Sequence, residues 1–234
     1  MTRFRLLAIT PPTGPVPGDI LLRWLTPARG EAPDLAVLLR EPGRGPAELL
    51  ASDRLADLRR RCREHGIPQL LSIDPGAPLP PLPPDIAGLH LRGDPDLADL
   101  ARARPPSDLP DDPTRPPVPR DILLGRSCHG APQPGHTEVD YTLLAPVFPP
   151  STGAGKTPVG LAALRAWTRA PGATIFALGG VTPATAAACL AAGAHGLAGI
   201  GVFFGEPAQV EQDVAALRDL VAAHPRHVEP LPPR

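Results

Sequence analysis

The chain has 234 residues, a length that suits one α/β domain with a large buried core. Its formal net charge of −1 offers no basic surface of the kind that holds nucleic acids or anionic membranes. No apolar run is long enough to span a membrane and the first residues lack a signal-peptide pattern, so we expect a cytoplasmic protein. Its three cysteines, Cys62, Cys128 and Cys189, are far apart and are expected to be buried apolar side chains.

Eight short apolar runs predict parallel strands, because strands covered on both faces lose the alternation of apolar and polar residues. The predicted strands are 5–10, 35–41, 69–74, 88–93, 122–128, 141–148, 174–180 and 196–203. Apolar spacing and start or stop signals predict helices at 46–65, 94–104, 158–170, 182–192 and 207–223. Strands and helices that alternate to a count of eight strands indicate a (β/α)8 TIM barrel, an α/β fold.

Two connections depart from the barrel pattern. Residues 75–85 and 129–140 are too rich in proline for regular helices, so we expect the outer helices after strands 3 and 5 to be shortened or lost. A doubly wound open sheet is the alternative architecture. In either case we expect one domain over residues 1–225, followed by a proline-rich tail at 226–234.

Polar residues close several predicted strands, at the end where barrel enzymes carry their active sites. They are Arg40, Asp74, His90, Arg92, Asp94, Ser127 and His129. On the last two strands, the glycines at 179–180 and Gly201 leave backbone N–H groups accessible to an anion, and Thr182-Pro183 starts a helix nearby. The pattern predicts a site for a small phosphorylated metabolite, with close packing of helix on strand as the alternative explanation of the glycines.

Four runs of sequence resemble one known family. GRSCH (125–129), VDYTLLAPVFPPSTGAGKTPVGLAAL (139–164), ALGGVTP (177–183) and AAGAHGLAGIGVFF (191–204) resemble, in order and spacing, the thiamine phosphate synthases and the related TenI proteins. The resemblance implies a transferase of thiamine biosynthesis that couples a hydroxymethylpyrimidine pyrophosphate to a thiazole phosphate. It also implies Mg²⁺ at the departing pyrophosphate, where negative charge develops, and a homo-oligomer.

The resemblance assigns roles to individual residues. Arg40, Ser127 and Lys156 match catalytic positions, and Asp74 matches a metal ligand. The second metal-binding carboxylate is shifted relative to the family, to Asp94 or Asp96. The residues that match substrate-binding and phosphate-binding positions are Thr152, Gly179, Gly180, Ile200, Gly201, His90, Arg92 and His129.

The first half of the chain departs from the family pattern. Pro42 stands where the family has a lysine, Ile73 where it has an asparagine, and Arg92 where it has an uncharged residue. A guanidinium can bind a phosphate through two parallel hydrogen bonds, so Arg92 can compensate for the lost lysine. The alternative is that Arg92 forms a surface salt bridge with Asp94.

Three functions stay open at this point: a synthase, a TenI-type thiazole tautomerase, and a non-catalytic regulatory relative that binds thiazole phosphate or thiamine. Pro146 stands where the tautomerases have the histidine that moves a proton, which disfavours the second of these.

Overall fold

The computed structural model describes residues 4–24, 34–103, 122–133, 135, 137–149 and 157–224. The strands are β1 (Leu6–Ile9), β2 (Leu35–Leu39), β3 (Gln69–Ile73), β4 (Ile86–Leu91), β5 (Leu123–Cys128), β6 (Tyr141–Leu144), β7 (Ile175–Ala177) and β8 (Gly196–Gly199). The helices are α1 (Ile20–Trp24), α2 (Pro46–Leu50), α3 (Asp53–Glu64), α4 (Leu97–Ala103), α5 (Gly160–Thr168), α6 (Pro183–Ala191), α7 (Gly201–Phe204) and α8 (Pro207–Ala223). The predicted tail and its boundary lie outside the described residues.

The eight strands form a closed parallel barrel. Each strand pairs with the next along the chain, and β8 returns to pair with β1 through the register of Leu197 with Leu6. This pairing confirms the predicted (β/α)8 barrel and excludes the doubly wound open sheet, whose edge strands would stay unpaired.

Alternation along the strands divides the core into two layers. Leu7 and Ile9 of β1, with Ala36 and Leu38 of β2, belong to the cluster that fills the inside of the barrel. The residues between them pack in the larger cluster between the barrel and the helices. Successive strand residues point to opposite faces, so the residue two positions beyond an inward side chain also faces inward.

Several element ends differ from the sequence prediction. The sixth strand ends at Leu144, because Pro146 has no N–H to continue the ladder. The eighth strand ends at Gly199, and the chain then turns into the short helix α7. The predicted helix 46–65 is two helices, since the extended backbone at Ser52 interrupts it.

The two proline-rich connections carry no helix among their described residues, as predicted. After β3, Leu79 and Leu82 cover the outer core in place of a helix. After β5, Trp167 of α5 donates an indole N–H to the carbonyl oxygen of Gly130 at 2.8 Å, which ties the loop to the neighbouring helix. The guanidinium of Arg126 lies 5.5 Å from the centre of the Trp167 ring and completes this contact.

The cysteines are buried and unpaired, as expected. Burial raises the pKa of Cys62 to about 12 and the pKa values of Cys128 and Cys189 to about 11, so all three are protonated thiols at neutral pH. In the part of the chain that the structure describes, none of the helices is both long and apolar enough to cross a membrane.

Arg5 joins the N-terminal end of the barrel to the last helix. Its buried guanidinium donates to the carbonyl oxygens of His195 at 2.8 Å, Val221 at 2.6 Å and His224 at 2.6 Å. The last two carbonyls belong to the C-terminal turn of α8, where a helix leaves its oxygens without internal partners. One cation therefore satisfies three acceptors at the bottom of the barrel.

We expect Arg5→Met to lower the free energy of unfolding by about 2–4 kcal/mol, because it leaves buried carbonyl oxygens without a donor. Urea unfolding followed by circular dichroism measures the change. Arg23→Met is the matched control, because Arg23 forms an exposed ion pair with Glu211, and we expect a change within about 0.5 kcal/mol. Equal effects of the two substitutions would contradict the anchoring role of Arg5.

Candidate active site

Strand alternation brings the predicted polar residues to the C-terminal mouth of the barrel. Arg40 continues the inward series of Ala36 and Leu38, and Arg92 lies two positions beyond His90 on β4. Asp74 and Ser127 follow the same rule at the ends of β3 and β5. The sequence prediction therefore selected side chains that share one rim.

Arg92 and Asp74 form a two-point ion pair across the ends of β4 and β3. Nε of Arg92 donates to Oδ1 of Asp74, and Nη2 donates to Oδ2 at 2.5 Å. The hydrogen bonds from Arg92 lower the pKa of Asp74, and the same bonds raise the pKa of Arg92. Both side chains are therefore charged at neutral pH.

Arg40 is the second cation at this rim. Its backbone is fixed by Thr10, whose hydroxyl donates to the Arg40 carbonyl oxygen at 2.8 Å and accepts from the Arg40 N–H at 2.8 Å. Burial lowers the pKa of the half-buried guanidinium, and the like charge of Arg92 lowers it further. Within the described ranges no acceptor pairs with this guanidinium. A guanidinium without a carboxylate partner among the described residues favours an anion.

His90 lies beneath these cations and links three strands. Its Nε2 is 2.9 Å from Oγ of Ser127, and its Nδ1 is 3.1 Å from the hydroxyl oxygen of Tyr141. Burial lowers the pKa of His90 to about 3, and the charge of Arg40 contributes to the shift. The ring is therefore neutral, and it is not an acid or base for chemistry near pH 7.

Gly125 makes this contact between β4 and β6 possible. It is the cross-strand neighbour of both His90 and Tyr141, so it lies between them in one row across the barrel. A Cβ on Gly125 would overlap the Tyr141 ring. With no side chain in the middle, the two rings meet across β5, with centroids 5.6 Å apart and planes 23° from parallel.

Sequence reasoning missed Tyr141 as a site residue. Its only signal was its place in the run VDYT, and its contact with His90 depends on strand register, which no local pattern reports. His90 was predicted as a substrate-binding residue, but its ring nitrogens contact Tyr141 and Ser127.

Asp94 and His129 connect the loops that follow β4 and β5. The Asp94 carboxylate accepts from the His129 N–H at 2.8 Å and lies 2.8 Å from Nδ1 of the same residue. Asp94 has a φ of 57°, and Gly93 before it has a φ of 83°, so a tight left-handed turn aims the carboxylate at β5. Both predicted site residues lie at the rim, and there they bind each other.

The carboxylates as they stand do not fit a magnesium site. Magnesium needs several oxygen ligands in nearly ideal octahedral geometry. Asp74 accepts hydrogen bonds through both oxygens from Arg92, and Asp94 through both from His129. Over the described residues, no three side chains of His, Cys, Asp or Glu meet as metal ligands. The magnesium site stays a prediction.

The predicted phosphate half of the site lies at the ends of β7 and β8. Gly179 and Gly180 have φ values of 92° and 63°, in the left-handed region that favours glycine. A Cβ would lie 2.5 Å from Cβ of Pro146 at Gly179, and 2.6 Å from Cβ of Phe148 at Gly180. The glycines are therefore required for packing against the segment after β6, rather than for packing of helix on strand.

The same backbone leaves donors available to a ligand. Across the described segments, no protein acceptor takes a hydrogen bond from the N–H groups of Gly179, Gly180 or Val181. At the end of β8, Ile200 caps α7, and nothing lies within 4 Å of where a Cβ on Gly201 would be. These donors and this space suit a phosphate, whereas Lys156 and Thr152 lie outside the described residues.

The fold defines a class of protein, a closed (β/α)8 barrel, and its mouth carries Arg40 and Arg92. The family profile for thiamine monophosphate synthase matches residues 19–203. The chain therefore belongs to the thiamine monophosphate synthase family.

Individual relatives agree with the family assignment. The thiamine-phosphate synthase of Methanoculleus marisnigri is 36% identical over 121 residues, which are 50% of this chain and 57% of that protein. The thiamine-phosphate synthase of Mycolicibacterium smegmatis is 34% identical over 152 residues, 63% of this chain and 59% of that protein. The chain thus spans less than two thirds of the length of these curated relatives.

Solved structures share the fold at low identity. The thiamine phosphate pyrophosphorylase of Pyrococcus furiosus superposes with a TM-score of 0.66 at 18% identity, over 95% of this chain and 97% of that one. A 3-hexulose-6-phosphate synthase superposes with a TM-score of 0.56 at 15% identity, over 93% of this chain and 100% of the other. At these identities the likeness supports the fold alone.

We expect Gly125→Ala to destabilise the protein by about 1–3 kcal/mol, because the new methyl group displaces the Tyr141 ring from a closely packed interior. It should also break the hydrogen bond between Tyr141 and His90. Thermal unfolding measures the first effect. Gly130→Ala is the control, since a Cβ there meets nothing within 4 Å, and the idea fails if both variants unfold like the parent protein.

Proposed function

We propose that the protein is a thiamine-phosphate synthase. Such an enzyme transfers the aminopyrimidinylmethyl group of a pyrophosphate ester to the ring nitrogen of a thiazole phosphate. The observation that carries the proposal is the cationic rim, where Arg40 has no carboxylate partner among the described residues and lies within electrostatic range of Arg92. The donors at residues 179–181 supply a second position for an anion. Two anionic substrates require two such positions.

The reaction breaks the bond between the pyrimidine methylene carbon and the pyrophosphate oxygen, and both electrons leave with the pyrophosphate. The lone pair of the thiazole nitrogen then forms the new C–N bond, and that nitrogen becomes positively charged. Negative charge grows on the departing oxygens, where the guanidiniums of Arg40 and Arg92 stabilise it. No proton moves in this step, which agrees with a buried, neutral His90.

The direct test incubates the purified protein with both substrates, with Mg²⁺ in one arm and EDTA in the other. Thiamine phosphate and pyrophosphate should appear together in equal amounts. Absence of product above background in both arms would refute the synthase.

A second candidate is a non-catalytic relative that binds thiazole phosphate or thiamine. It is favoured by Asp74, whose carboxylate is occupied by Arg92, and by Pro42, which has no charge to offer a pyrophosphate. Calorimetry with thiazole phosphate distinguishes this candidate, which binds without turnover. A tautomerase finds no support, since Pro146 follows β6 where that mechanism needs a histidine.

We expect Arg40→Gln to lower kcat/KM for the pyrimidine pyrophosphate by about 10²–10³-fold, because one charge that stabilises the leaving group is lost. Steady-state kinetics measures this effect. The control is Arg44→Gln on the same loop, since Arg44 is an exposed partner of Glu41, and it should leave kcat/KM unchanged. An equal loss in both variants would show that Arg40 acts only through general charge.

We expect Asp74→Asn to tighten the binding of inorganic pyrophosphate in EDTA by about fivefold, because one nearby negative charge is worth about 1 kcal/mol in water. The freed guanidinium of Arg92 then faces the anion. If Asp74 instead binds a metal, the variant should lose Mg²⁺-dependent pyrophosphate binding. Isothermal calorimetry with and without Mg²⁺ separates the two results, and Glu211→Gln, which disrupts a surface ion pair, is the control.

A further inference from the structure

A chain of hydrogen bonds runs from the interior of the barrel to its mouth. It starts at the hydroxyl of Tyr141, 3.1 Å from Nδ1 of His90, and continues from Nε2 of His90 to Oγ of Ser127 at 2.9 Å. Tyr141 is fully buried, His90 is 2% exposed, and Ser127 is partly accessible. The chain therefore ends on the one side chain that a ligand can reach.

The burial of Tyr141 determines which way its proton points. Among the residues that the structure describes, His90 Nδ1 is the one hydrogen-bond partner of this hydroxyl. If the hydroxyl accepted a proton from Nδ1, its own O–H would be a buried donor with no acceptor, which costs about 1–3 kcal/mol. Burial also raises the pKa of Tyr141, so the proton stays on the oxygen. Tyr141 therefore donates to Nδ1.

The next proton follows from the charge of the ring. His90 is neutral, so it carries one ring proton, and Nδ1 is already an acceptor. That proton must lie on Nε2, where it is donated to Oγ of Ser127. The Ser127 hydroxyl then has no acceptor on His90, and its own hydrogen is available to a ligand.

We propose that Tyr141 and His90 are positioning residues that hold Ser127 as a hydrogen-bond donor to the bound pyrimidine substrate. The matching atom on the ligand is an acceptor, either a ring nitrogen or a pyrophosphate oxygen. The identity of the ligand rests on the proposed synthase function. The direction of the hydrogen-bond chain does not depend on that function.

A directed serine differs physically from a free one. An isolated hydroxyl donates or accepts by rotating, and it loses that freedom when a ligand binds. Here the histidine proton occupies one of the two lone pairs of Oγ, so the hydroxyl hydrogen is already turned away from His90 before the ligand arrives. A ligand that presents an acceptor at this point does not compete with His90 for the hydroxyl hydrogen.

Nitrogen-15 NMR of histidine-labelled protein at neutral pH tests the direction of the chain. We expect His90 as the neutral tautomer with its proton on Nε2, and a proton on Nδ1 would overturn the proposal. In Tyr141→Phe, which keeps the ring packed against Phe4 and Phe176, the Nδ1-protonated tautomer should become populated. An unchanged tautomer in a folded Tyr141→Phe variant would remove Tyr141 from the chain.

Ligand binding tests the role of the donor. Calorimetry measures the binding of the hydroxymethylpyrimidine alcohol and of inorganic pyrophosphate, each alone. Ser127→Ala should weaken the binding of one of these ligands by about tenfold, which corresponds to the loss of one hydrogen bond. Tyr141→Phe should weaken binding of the same ligand by a smaller factor, measured at a temperature where the variant is fully folded. Weaker binding of the alcohol assigns the acceptor to the ring, and weaker binding of pyrophosphate assigns it to an oxygen.

Ser72→Ala is the matched control, because it removes a buried hydroxyl from β3, the strand beside the one that carries His90. It should leave both affinities unchanged. If Ser127→Ala changes neither ligand, or if Ser72→Ala changes both equally, the donor role is refuted. None of these measurements needs turnover, so a failed synthase assay leaves them interpretable.

Discussion

Closure of the sheet between β8 and β1 determines where every residue of the candidate site lies. Parallel strands that close on themselves have all their C-terminal ends at one rim, and side-chain alternation then decides which residues beyond those ends face inward. Arg40, Asp74 and Arg92 share the mouth for this reason, although they come from three separate strands. Arg5 supports the closure from the opposite end, where it holds the last turn of α8.

The interior of the barrel depends on one missing side chain. Gly125 leaves a gap in the middle of a cross-strand row, and the Tyr141 ring fills it to reach His90. The same feature packs the core and prepares the site, because the buried tyrosine determines the direction of the hydrogen bonds that end at Ser127. A glycine in the GRSCH run thus has a structural role beside the chemical role of the serine two residues later.

Charge at the rim distinguishes this protein from the pattern that its family resemblance implies. An arginine, Arg92, occupies the carboxylate of Asp74, which the resemblance assigns to a metal. Arg40 and Arg92 place two guanidiniums at the rim, of which Arg40 has no carboxylate partner among the described residues, and the buried imidazole adds no charge. A departing pyrophosphate can be stabilised by such a pair, since guanidiniums bind phosphate oxygens in a planar, two-point geometry.

The sequence alone determined the number of strands and the two connections with shortened or lost helices, because buried parallel strands and proline-rich segments leave strong local patterns. It favoured a barrel over a doubly wound open sheet, and the pairing of β8 with β1 decided between them. It also indicated which residues reach the mouth, since the ends of strands can be read along the chain. Only the tertiary structure decided their partners: Asp74 with Arg92, Asp94 with His129, and Tyr141 with His90. These pairings depend on the register between strands and on the length of turns, which are set when the sheet closes and not by the residues on either side.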